Sequence, residues 1–355
     1  MISLYKPYIP KKLPELENIL YSGNLAYGKW GKSFENKLKK YLNNENVLAI
    51  DSYNSAMLVL LSTLNLKYGD KIIASPMSCL ASNQPFATQG IKIIWADIDP
   101  LTGTLNPESV KSKITKDVKA IFHNHHCGYV GYIDEINNLG KEYGIPVVDD
   151  AIEAFGSKYD GKVLGSLNTD FTVFSFETVR FPNCINGGAI VFKDKECFEK
   201  AKMIRDYGVD RSIFRDELGE ISKDCDISLP GYGAKPNEIN SYIGAVQLDK
   251  IDKIMNKQFS NASKWVDFFK NNNNINILQP NEKAIPNYWI FGILSEHKRK
   301  TILEMRNEGY YASGVHLNNN HYSVFNNNEQ LSGVNEFYSK FVALPSGWWF
   351  NNKIL

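Results

Sequence analysis

Seven short apolar runs punctuate the first two thirds of this chain, and they constrain its fold more than any other feature. They are Val47–Ile50, Lys71–Ala74, Lys92–Asp97, Ala120–His123, Pro146–Asp149, Thr172–Phe176 and Ala189–Phe192. Several are dense in Val, Ile and Phe with no polar alternation, the pattern of strands buried on both faces. Helical stretches lie between them. Ala56–Leu64 follows a possible cap at Asn54 or Ser55, Pro107–Lys113 follows Asn106, and Ile133–Tyr143 is a third. A β-α-β-α order predicts a mostly parallel sheet with helices on both faces.

The rest of the chain reads differently. Ile239–Phe269 has the pattern of one long helix, straight or bent, leading to a C-terminal part. That part carries a strand near Tyr288–Leu294 and a helix near His297–Glu308. The 355 residues therefore divide into a large domain over 1–250 and a smaller one over 251–355. Asn-rich stretches at 271–274, 318–320 and 326–328 predict surface turns. Trp348 and Trp349 belong to a core or an interface.

Charge excludes some functions. Lys+Arg is 40 and Asp+Glu is 39, so nothing global favours nucleic acid or an anionic membrane. No apolar run reaches the length of a membrane span, and the N-terminus lacks the apolar centre of a signal peptide. Cys79, Cys127, Cys184, Cys197 and Cys225 are odd in number, widely spaced and without a CxxC, which predicts free thiols in a reducing cytoplasm.

One segment concentrates chemistry. In IFHNHHCG, residues 121–128, His123 and His125 share one face of a strand while His126 points away. The cluster reads as a site-edge or packing group rather than a metal site, with His125 an acid–base candidate.

Segments in one order along nearly the whole chain carry a resemblance. They are SGNLAYGKWGKSFENKL at 22–38, GDKIIASP at 69–76, IIWADIDPLTGTLNP at 93–107, GIPVVDDAIEAFGSKYDGKVLGS at 144–166 and DFTVFSFETVRFPNCINGGAIVF at 170–192. IRDYGVDR at 204–211, GYGAKPNEINSYIGAVQLDKID at 231–252, GYYASGVHLNNNHYSVF at 309–325 and ALPSG at 343–347 follow. Together they resemble the DegT–StrS family of sugar aminotransferases. The resemblance implies an α/β, type I transferase fold: a large domain with a mostly parallel seven-stranded sheet, a smaller C-terminal α+β domain, and a homodimer. It implies pyridoxal phosphate as cofactor and a nucleotide-linked sugar as substrate, in surface-polysaccharide (O-antigen or capsule) or deoxyaminosugar biosynthesis.

Such chemistry needs an acid on the pyridine nitrogen, donors for the phosphate, a flat group on the ring and a Schiff-base lysine. By resemblance Asp150 stands at the cofactor aspartate, the favoured reading; on residue type alone it also fits a strand-end cap. Ser175 stands at the phosphate serine, or is a small residue between two aromatics. Ser52 and Asn54 flank the phosphate cradle, and Glu153 takes the place of the usual Gln or His. His316 and Tyr322 fall in the substrate-side segment, and Lys235 in the segment that reaches the partner subunit.

Four positions depart from the family pattern. Arg180 stands where the lysine belongs, and a guanidinium stays protonated and cannot form the Schiff base. Tyr53 replaces the cradle glycine, Leu80 the stacking aromatic, and Gly233 the cross-subunit asparagine. Because the departures surround one ligand, they predict a remodelled pocket and altered chemistry. Arg180, His125 and Glu153 are then the candidate catalytic residues. A diverged epimerase, isomerase, dehydratase or transferase and a non-catalytic partner of an active homologue are the alternatives to transamination.

Overall fold

The computed structural model describes residues 1–326 and 329–350. All seven apolar runs become strands of one sheet: β1 (Val47–Ile50), β2 (Lys71–Ala74), β3 (Lys92–Trp95), β4 (Val118–Asn124), β5 (Val147–Ala151), β6 (Phe171–Ser175) and β7 (Gly188–Phe192), in the order β1-β7-β6-β5-β4-β2-β3. Only β7 runs against its neighbours; β2, β3, β4, β5 and β6 pair in parallel. Every residue of β1, β5, β6 and β7 is buried, which is why these strands show no alternation.

Local signals set most helix starts. Asn106 accepts from Glu108 N–H ahead of Pro107–Lys113, and Asp194 accepts from Cys197 N–H ahead of Lys195–Ile204. The first crossover helix is Tyr53–Thr63, and its cap is Ser52, which accepts from Ser55 N–H, not Asn54 or Ser55. Tyr53 is thereby the first helical residue, with its side chain directed into the core.

The long C-terminal helix is two helices, Glu238–Leu248 and Ile251–Phe269. The break has a physical reason. The first segment is buried nearly all round, whereas the second buries one stripe, including Ile251, Met255, Ala262, Trp265 and Phe269. Trp265 packs on Phe291 and Phe350 and donates Nε1–H to Pro345 O at 2.9 Å, beside a three-stranded sheet of Ile275–Ile277, Phe291–Ser295 and Phe341–Leu344.

Two further expectations change. Asn319 and Asn320 are buried, and Asn319 Nδ2 donates to Ser78 O and Oγ, so this stretch is an internal tie rather than a surface turn. Asn327 and Asn328 lie outside the described residues. Trp348 and Trp349 pin the N-terminal segment, donating to Lys6 O at 3.3 Å and Ser3 O at 2.8 Å. That pin sets Tyr5 against Trp289, with ring centroids 4.5 Å apart, at the edge of the candidate site.

Candidate functional site

The parallel strands β4, β5 and β6 end together, and open α/β sheets bind ligands at such carboxyl ends. Asn124 closes β4, Asp150 lies near the end of β5 and Ser175 closes β6. Two groups of side chains meet there.

The first group surrounds Asp150. Its Oδ1 accepts the Tyr53 hydroxyl at 2.8 Å and Ile152 N–H at 3.2 Å, and its Oδ2 accepts Asn124 Nδ2–H at 2.8 Å. Asp150 is 3% exposed and Tyr53 1%. Burial raises the pKa of Asp150 above the ordinary carboxylate value, and its neutral hydrogen-bond partners only partly counter that. Burial, then the adjacent carboxylate, pushes the Tyr53 phenol well up, so it remains a donor.

The second group is Glu153, His316 and Arg180. Glu153 Oε1 lies 2.8 Å from His316 Nε2 and 3.4 Å from Arg180 Nη1, while its Oε2 accepts Cys127 N–H at 2.7 Å. Burial raises the Glu153 pKa, but His316 and Arg180 together outweigh it and hold the carboxyl well below the usual range. An ionised carboxylate only accepts, so His316 Nε2 carries a proton toward it. The Arg180 guanidinium lies 4.4 Å from the centre of the Trp289 ring, and Trp289 Nε1–H donates to Val179 O at 2.9 Å. Arg180 Nη1 is buried without a hydrogen-bond partner. Backbone strain gathers here too. Cys127, Tyr288 and Val315, with φ of 54°, 50° and 60°, adjoin Glu153, Trp289 and His316. A β-branched residue in that region is an outlier that its surroundings must impose.

Of the residues singled out in the sequence, Arg180, Glu153 and His316 meet, and Asp150 lies three residues before Glu153 at the same strand end. The rest are placed otherwise. His125 is fully buried; its Nδ1 accepts Gly131 N–H at 3.3 Å and its Nε2 is 3.2 Å from Asp149 Oδ1, so it has no reacting surface. Ser175 is buried and its Oγ accepts Glu177 N–H at 3.4 Å, which fixes the turn into the Arg180 loop. Ser52 spends its hydroxyl on the helix cap, and Asn54 is exposed. Lys235 pairs with Asp206 at 2.8 Å, beside Arg211, away from Asp150. Tyr322 packs on His321, with ring centroids 6.0 Å apart. Trp289 and Tyr5 carry no motif and become visible only when the chain is folded, whereas Cys127 stands in the histidine-rich segment 121–128.

Metal ligation fits poorly among the described residues. Cys79, Glu153 and His316 present ligand atoms within 4.8 Å of one another, but the Arg180 cation shares that Glu153 oxygen. His123, His125 and Asp149 also converge. There the Gly131 N–H bond to His125 Nδ1 leaves the proton of the neutral ring on Nε2, the atom that faces Asp149. His126, Cys127 and Glu153 form the third grouping, with Glu153 again committed to His316 and Arg180.

The model of the DegT/DnrJ/EryC1/StrS aminotransferase family matches residues 9–353. Among solved structures, AtS13 from Actinomadura melliaura is 26% identical, with a TM-score of 0.91 over 99% of this chain and 95% of that one. PseC from Helicobacter pylori, an aminotransferase involved in the biosynthesis of pseudoaminic acid, is 25% identical, with a TM-score of 0.89 over 99% and 95%. A GDP-4-keto-6-deoxymannose-3-dehydratase with a trapped PLP-glutamate geminal diamine is 21% identical, with a TM-score of 0.86 over 98% and 96%. The fold is thus that of pyridoxal-phosphate sugar aminotransferases. The residues present here do not fit that cofactor: Tyr53 already occupies Asp150, and among the described residues no lysine contacts Asp150 or Glu153.

Proposed function

The chain belongs to the DegT/DnrJ/EryC1/StrS aminotransferase family, and from that premise we propose that it acts on a nucleotide-linked keto sugar by moving a proton rather than an amino group. The observation that carries the reading is the shared Glu153 oxygen, which holds His316 Nε2 while Arg180 Nη1 stands 3.4 Å away with no hydrogen bond of its own. Glu153 positions His316. His316 Nδ1, the ring nitrogen not turned to Glu153, takes a proton from the carbon beside the sugar carbonyl, and the electron pair moves onto the carbonyl oxygen. The uncommitted Nη1–H of Arg180 donates to that oxygen as its charge grows. A proton from solvent delivered to the opposite face of that carbon gives the epimer, His316 loses the proton it took to solvent, and every group ends as it began; return to the original face regenerates the substrate.

Family membership supports the sugar class, and two of the similar proteins bear on it. PseC is described as acting in pseudoaminic acid biosynthesis and another as a dehydratase of a GDP-4-keto-6-deoxy sugar. Surface-polysaccharide or deoxyaminosugar biosynthesis, carried out by a cytoplasmic homodimer, is the setting this reading assigns.

The test is solvent exchange. With a nucleotide-linked 4-keto-6-deoxyhexose in D2O, proton NMR should show loss of signal at the carbons flanking the carbonyl. His316→Gln should slow that loss on the order of 100-fold or more. Calorimetry that finds no affinity for any nucleotide sugar overturns the reading. A second reading, a non-catalytic partner of an active homologue, draws on the fact that both buried carboxylates already have protein partners. Sugar binding without exchange would favour it.

A further inference from the structure

We propose that Tyr53, rather than Arg180, is the residue that bars pyridoxal phosphate, because its phenol fills the seat of the cofactor ring. The sequence makes the arginine conspicuous, since a guanidinium cannot form a Schiff base. Yet an arginine only removes a covalent bond; cofactor could still bind without one. Tyr53 removes the place.

The aspartate that would face a pyridine nitrogen is Asp150. A ring N–H would need to approach one of its oxygens at ordinary hydrogen-bond distance. The Tyr53 hydroxyl already stands 2.8 Å from Oδ1, Asn124 Nδ2 stands 2.8 Å from Oδ2, and Ile152 N–H approaches from the chain side. Two heavy atoms cannot share that position. Nor can Tyr53 readily leave. It is the first residue of the helix Tyr53–Thr63, its ring is 1% exposed, and it belongs to the apolar cluster that includes Met57, Met77, Phe86 and Phe122.

The start of that helix is closed as well. Its Ser55 N–H is taken by the Ser52 hydroxyl, and Asp51 places a carboxylate 3.3 Å from the same hydroxyl. The loss of the glycine at 53 is therefore not a gap, because a phenol of this chain fills it. This inference stands apart from the proton-transfer reading, which fails on sugar exchange and not on cofactor binding.

The experiment compares the wild-type chain with Arg180→Lys, Tyr53→Gly and the double variant Tyr53→Gly/Arg180→Lys. Each is incubated with pyridoxal phosphate at micromolar concentration, and the near-visible Schiff-base band is recorded. Borohydride reduction and peptide mass mapping then locate any pyridoxyl group. Calorimetry reads non-covalent binding in the variants that lack a lysine at 180. We expect no heat for the wild type and no band for Arg180→Lys. We expect binding heat for Tyr53→Gly, and one equivalent mapped to position 180 in the double variant. A band mapped to position 180 in Arg180→Lys with Tyr53 intact overturns the inference, as does stoichiometric binding to the wild type. So does a double variant with native circular dichroism that fails to bind. If the glycine variants do not fold, wild type and Arg180→Lys still decide, and Tyr53→Phe, which keeps the ring, should exclude the cofactor as the wild type does.

Discussion

Glu153 holds His316 through one carboxylate oxygen, with Nε2 at 2.8 Å, and it does so from a position of complete burial. The histidine comes from a strained loop 163 residues away, and the same oxygen lies 3.4 Å from Arg180. The carboxylate is thus the hub that joins three distant segments of chain.

Replacing Glu153 by Gln should therefore damage stability and chemistry together. Removing one partner of a buried ion pair leaves the other charge uncompensated, at about 3–5 kcal/mol. Urea denaturation should show that loss. In the folded fraction, exchange of the keto sugar in D2O should fall roughly 100-fold while nucleotide-sugar affinity stays within about threefold, because Glu153 positions the base rather than the sugar. Exchange at the wild-type rate would remove the hub from the reaction.

Tyr53→Phe keeps the ring and deletes only the hydroxyl on Asp150. The carboxyl then retains Asn124 and Ile152 but loses its shortest Oδ1 donor. The expected cost is about 1–3 kcal/mol, the usual range for a buried acceptor left short of a partner. A melting temperature unchanged from the wild type would show that the Tyr53–Asp150 bond is not a net stabiliser.

Acid should weaken the fold well above the range where carboxylates titrate. Burial pushes His123 down to about 4 and His126 to about 3, each fully buried and neutral in the native state. In the unfolded chain both titrate near the ordinary value of about 6.5. The unfolded state thus binds more protons below that pH, and stability falls as pH drops from about 6.5 toward 4. The slope is at most about 1.4 kcal/mol per pH unit for each histidine. Glu153 and Asp149, both held well below the carboxylate range, add to the loss only below about pH 4.5. A urea midpoint that stays flat between about pH 7 and 5 would contradict this.

The sheet edge offers a fourth test. β1 is an edge strand, and Ala49 in it gives its carbonyl to Arg205 Nη1 at 2.7 Å and its N–H to Glu35 Oε1 at 3.0 Å. Arg205 and Glu35 also pair with each other. Arg205→Ala should cost about 3 kcal/mol and leave unpaired edge groups. Light scattering should then report association that the wild type lacks at the same concentration.

The arrangement of the sheet was legible because buried parallel strands advertise themselves. Val47–Ile50 through Ala189–Phe192 are apolar on both faces, and their order along the chain with helices between them leaves few topologies. Asn106, followed by Pro107, marked a helix start by local chemistry alone. Local signals failed where tertiary demand overrode them. Ser52 caps the helix that Asn54 and Ser55 also suited, the long helix breaks at Asp249 and Lys250 to turn a new face inward, and Asn319 is drawn inside by Ser78.

What the sequence determined by itself is the sheet, the family pattern and the loss of the lysine, since each rests on residue type and on neighbours close in the chain. What only the tertiary structure decided is where the replacements go. Tyr53 could have pointed outward from the first turn of its helix; packing sends it to Asp150, 97 residues away. Arg180 could have been an exposed cation; Glu153 and Trp289 enclose it. Long-range contacts of this kind depend on which strand ends the sheet brings side by side, and no local pattern encodes them.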